Sequence, residues 1–296
     1  MDAVWLVRSR QLMRRMRFWI MIVGYDPGDR SITHRIYLLY VVIFFSLWGF
    51  VVLALFADQV AFILSWLVRA SPVRSAIVFT TIILLVDFLF QCYRYAKRSP
   101  FVFSEDDAGL ICLTPVDRRQ VALAWLLGEW IPAGLPYWAL AVTLSFSILQ
   151  LTYPAGLIAA NLPLYLLAAL RAVSVMLPLH LALMTFTYIF GVIRLRGEKD
   201  LPYLRLIPLG VGAILLLLSR YDPAFLRIFL WPLIYPLQAG FGIAHWLAGF
   251  ALVFLLALLS LLLLYLVTPR LNLSRASQES QHRWEFKPTR SVRGTE

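Results

Sequence analysis

Ile36-Tyr-Leu-Leu-Tyr-Val-Val-Ile-Phe-Phe-Ser-Leu-Trp-Gly-Phe-Val-Val-Leu-Ala-Leu-Phe-Ala57 contains no Asp, Glu, Lys or Arg, and about 20 apolar residues is the length at which a helix crosses the hydrocarbon core of a bilayer. Blocks of similar apolar character recur at 76–93, 121–151, 155–193 and 245–267. A sixth, 204–219, is shorter, with Pro202 near its start and Arg220 closing it. Of the 296 residues 61% are hydrophobic and 15% charged, so the fold class expected is an all-α polytopic membrane protein with six transmembrane helices. The basic segment before the first block has no small-residue cleavage site, which makes that block a span and not a signal peptide.

Between the fifth and sixth spans, 220–244 is apolar but interrupted by Pro223, Pro232, Pro236, Gly240 and Gly242. Unpaired backbone is tolerated at membrane depth only where protein or water shields it, which predicts a re-entrant hairpin and not a seventh crossing. The distribution of Lys and Arg agrees. Six spans place only Arg69, Arg74, Arg220 and Arg227 outside, and the arginines of the N-terminal segment, of 94–119, of 194–205 and of the tail inside. Both termini are then cytoplasmic. The net charge of +11 reports membrane sidedness, and the chain has no nucleic-acid-binding motif. Over 1–30, Trp5, Leu6, Leu12, Met13, Met16, Trp19 and Ile20 recur at helical spacing opposite arginines, which predicts an amphipathic helix lying in the bilayer interface with its arginines at lipid headgroups.

The loop 94–120, between spans two and three, carries two helix-start signals. Ser104 is followed three residues later by Asp107, and Asp117 by Gln120. They predict a short helix over 105–113, acidic at its N-terminus and stopped by Thr114-Pro115, and a second helix that starts at Arg118 and continues into the third span.

The turn Leu113-Thr-Pro-Val-Asp-Arg-Arg119 resembles the coupling region in permeases of the type-2 ABC transporter family, where a short acidic-apolar helix precedes a Leu-Pro-Val-Ser-Arg-Arg-like sequence. Asp117 stands for the usual Ser or Thr, and Thr114 is a further departure; the close match covers about 25 residues, and the remaining likeness is one of layout. The resemblance implies a permease domain over 1–270 that docks a cytoplasmic coupling helix into a separate ATP-binding subunit, with Ser104, Glu105, Asp106, Asp107, Leu110, Pro115, Asp117, Arg118 and Arg119 at or beside the contact. It also implies a second copy or a related permease as partner, and export from a prokaryotic plasma membrane. The chain has no phosphate loop, so this subunit is not expected to be an enzyme or to bind a cofactor. ATP and Mg would sit on the partner.

Four polar groups fall inside the spans, where an unpaired charge costs at least about 2.5–3.5 kcal/mol: Asp87, Glu129, Arg171 and His180. Counting along the helices sets Asp87 and Arg171 at comparable depth, an ion pair for helix registry or for a pathway. Glu129 is expected to face a vestibule or a backbone donor, and His180, after Pro178, to be a satisfied packing residue. The histidines at 34, 180, 245 and 282 have no metal-site spacing, and Cys92 and Cys112 suggest no chemistry. A membrane scaffold or assembly factor, or an intramembrane lipid-modifying enzyme, remains the alternative. The polar tail 271–296 is expected to be disordered.

Overall fold

The structure is a computed structural model and describes residues 3–22, 24, 31–67, 72–103, 111, 116–152, 161–196, 201–221 and 243–285. Among these it is helical throughout, without a strand. In chain order the helices are α1 (Ala3–Ile22), α2 (Ile32–Leu67), α3 (Pro72–Lys97), α4 (Arg118–Thr152), α5 (Leu162–Arg194), α6 (Leu206–Tyr221), α7 (Ile243–Val267) and α8 (Leu273–Glu285). Short 3-10 turns at Pro202–Arg205 and Thr268–Arg270 lead into α6 and out of α7.

Five of these helices, α2 to α5 and α7, are long and apolar enough to cross a membrane. α5 is the axis of the bundle and packs against α3, α4 and α7; α2 lies on α4, and α6 on α3. Only 6% of the most apolar window of α2 is buried, against 39% for α4 and for α5. Its Phe44, Phe45, Trp48, Phe56 and Trp66 point outward. An apolar perimeter of this extent suits lipid and not water.

The core has two main parts. Ala76, Ile77 and Leu84 of α3 meet Ala141 and Leu144 of α4, Val175, Met176 and Leu179 of α5 and Val253 of α7. At one end of the bundle, Val4, Phe101, Phe103, Ile111, Trp125, Tyr188, Leu195, Leu264, Leu271 and Ala276 form a second cluster that joins α1, the connection after α3, and α8. Gly191 permits the close approach of that connection, since a Cβ there would run into the ring of Pro100.

Several expectations are corrected. The tail does not begin as a disordered segment: α8 is a helix with Ala276, Ser277 and Ser280 buried. Asn272 N–H donates to Leu195 O at 3.1 Å, and the Asn272 side chain accepts from Arg275 N–H at 3.2 Å, the position of a helix N-cap. α8 is polar in composition, and it adds hydrogen bonds to the apolar contact that Ala276 and Leu273 make with the bundle. Arg8 does not reach headgroups: it is 2% exposed and faces the bundle. The helix expected over 105–113 lies outside the described residues except for Ile111, and the hairpin expected over 220–244 except at its two ends.

Candidate functional site

One stripe from each of three helices lines a cavity of about 570 Å³ inside the bundle. α3 contributes Asp87, Gln91 and Arg94, α4 contributes Glu129, Ala133, Pro136, Tyr137 and Leu140, and α5 contributes His180, Leu183, Met184 and Thr187. These steps of three and four residues are those that put side chains on one helix face. Pro136 and Pro178 lie inside α4 and α5, where each lacks the N–H that would bond the carbonyl of Pro132 or Ser174.

At one level of the cavity the Tyr137 hydroxyl donates to Asp87 Oδ2, and the Tyr137 ring lies 4.4 Å from that of His180. His180 is 3% exposed and its Nδ1 has no hydrogen-bond partner. At another level Glu129 Oε2 accepts from the Tyr188 hydroxyl at 2.8 Å, and Arg8 Nη2 lies 3.7 Å from Glu129 Oε1. The Arg8 guanidinium sits 4.9 Å above the Trp125 ring, and its Nη1 donates to Gln11 Oε1 at 2.9 Å. Gly128 makes room, since a Cβ at that position would collide with Arg8. α1 thus inserts a cation beside α4 that neutralises Glu129 and stacks on an indole.

Of the four intramembrane groups, Asp87, Glu129 and His180 share this cavity and Arg171 does not. Asp87 bonds Tyr137 and forms no ion pair with Arg171. Arg171 lies nine residues, about 14 Å of helix, before His180, which is the α5 residue at the level of Asp87. Counting depth from helix ends misjudges this because α3 and α5, at 26 and 33 residues, are both longer than the roughly 20 residues that cross a bilayer, and by different amounts. Glu129, expected to face a vestibule or a backbone donor, lines the cavity and takes side-chain donors from α1 and α5. His180 packs as expected, but it is not satisfied. Tyr137 carried a readable signal, a phenol within an apolar run that needs a partner; Arg8, masked as one arginine among five, did not.

The described part of the turn 113–119 is a junction. Asp117 Oδ1 accepts from Arg119 N–H at 3.0 Å, so it caps α4 as expected. Arg118 Nη1 donates to Pro269 O at 2.9 Å. Arg119 Nη1 donates to the Tyr265 hydroxyl at 2.8 Å, with its guanidinium 4.1 Å above that ring. Both arginines therefore hold the end of α7. Ser104, Glu105, Asp106, Asp107, Leu110 and Pro115 lie outside the described residues. Cys92 is a buried free thiol. Among the described residues no group of three His, Cys, Asp or Glu could hold a metal ion.

Comparison with protein-family models, with curated proteins and with solved structures gives no match.

Proposed function

We propose that this chain is the membrane-spanning permease subunit of an ATP-driven exporter of the type-2 ABC kind, driven by a separate ATP-binding subunit that carries ATP and Mg and assembled with a second permease. In this reading the chain has six spans, with α6 as the fifth, a re-entrant segment over 220–244, and both termini in the cytoplasm. The observation that carries it is the continuity of α4. One helix runs from the capped junction at Asp117 to the cavity residues Glu129 and Tyr137, so a displacement of the loop before it reaches Glu129, about 18 Å away, along helix uninterrupted by proline, and Tyr137 past Pro132 and Pro136. Arg118 and Arg119 extend the same displacement to α7.

Co-purification in mild detergent with the ATPase encoded beside this gene tests the proposal. Wild type is expected to co-elute and to alter ATP hydrolysis, whereas Leu110→Asp and the Asp106→Ala, Asp107→Ala pair lose both. Association that survives both changes would refute the coupling role of the loop, and no association with any ATPase would refute the permease. The Asp87–Tyr137–His180 cluster favours one second reading, an intramembrane lipid-modifying enzyme. Turnover of membrane lipid by the chain alone, abolished by His180→Phe, would select it.

A further inference from the structure

The cavity wall carries a carboxylate that has no counter-cation among the described residues. Tyr137, a neutral donor, is the partner of Asp87, and none of the described Lys or Arg side chains forms an ion pair with it. Of the other charges that line the cavity, Glu129 of α4 is held by Arg8 of α1 and by Tyr188 of α5, and Arg94 of α3 is exposed; Arg171 of α5 lies outside the lining. His180 adds a second observation, a buried side chain on the cavity wall whose Nδ1 lacks a partner. An anionic group in a bilayer calls for a compensating charge. The volume of about 570 Å³ lies in the range that holds an organic ligand, and Leu84, Phe88, Leu140 and Leu183 supply apolar wall. No group of three His, Cys, Asp or Glu that could hold a metal ion is present among the described residues.

We infer that the cavity binds an organic cation with a bulky apolar body, its positive centre at Asp87 and its body against the α3, α4 and α5 side chains. Naming this cation as the transported species rests on the permease reading; its binding does not. A carboxylate opposite a cation in a poorly solvated site discriminates by charge, because the attraction is weakly screened there. The phenol of Tyr137 orients the carboxylate and leaves its second oxygen to the ligand.

Equilibrium dialysis of the full chain in lipid nanodiscs, with no ATPase present, against tetraphenylphosphonium tests this. Saturable binding above that of empty nanodiscs is expected. Asp87→Asn should weaken it by about tenfold or more, Asp87→Glu should retain it, and tetraphenylborate, of the same shape and opposite charge, should neither bind saturably nor displace it. Absence of saturable binding, an unchanged affinity in Asp87→Asn, or equal binding of tetraphenylborate would overturn the inference. If Asp87→Asn does not assemble, the comparison of the two probes on the unaltered chain decides. Failure here leaves the co-purification with the ATPase standing, and failure there leaves this binding standing.

Discussion

Glu279 of α8 forms an ion pair with Arg194 at the end of α5, across 85 residues of sequence. Its Oε2 also accepts from Ser99 N–H at 3.0 Å, and Arg275 Nε stands 3.6 Å from Oε1. One residue further on, the Ser280 hydroxyl accepts from Phe103 N–H at 3.3 Å and donates to Phe101 O at 3.1 Å. A polar helix near the chain's end thus holds the backbone that leads from α3 toward the capped junction of α4. Because Arg194 is buried, loss of the carboxylate takes a charged partner from a buried cation and an acceptor from a backbone donor.

Glu279→Ala is expected to destabilise the protein by about 2–3 kcal/mol, read as a lower Tm in detergent and as faster proteolysis between residues 98 and 117. The exchange of Arg194→Glu with Glu279→Arg should restore stability only in part, since Ser99 N–H would lose its acceptor. Truncation after Asn272 should reduce folded yield more than either single change.

The bond between Tyr137 and Asp87 is open to a double-mutant cycle. Tyr137→Phe should cost about 1.5–3 kcal/mol, the usual worth of a hydrogen bond to a charged group, and much less in an Asp87→Leu background. Arg171→Gln with Asp87→Leu should show coupling within about 0.5 kcal/mol of zero. Thermal unfolding of the four variants of each cycle measures both.

Gly128→Ala introduces a Cβ into the guanidinium of Arg8. A loss of about 1–3 kcal/mol is expected, the usual cost of overpacking. Arg8→Ala added to Gly128→Ala should relieve the collision, so the double variant should fall short of the sum of the single losses. Tm values for the three variants check this.

Asp117→Ala should cost about 1 kcal/mol through loss of the N-cap. Asp117→Ser, the residue type of the resembling motif, should keep stability. If the permease proposal holds, it should also keep the effect of the chain on partner ATP hydrolysis, which Asp117→Ala weakens.

By itself the sequence determined that the chain is helical and built for lipid, because a run such as Ile36–Ala57 can satisfy its backbone in hydrocarbon only as a helix and its side chains only by staying there. It also determined the cap at Asp117, since capping is decided within three residues of chain. The tertiary structure alone decided which polar groups meet. Asp87 found Tyr137 and not Arg171, Glu129 found Arg8 from α1, and Glu279 turned a tail without apolar periodicity into α8. Periodicity tells which face of a helix is apolar, but it carries no information on which neighbour covers that face or at what depth two long helices cross. For buried polar groups those two quantities set the partner, and they exist only once the bundle has assembled.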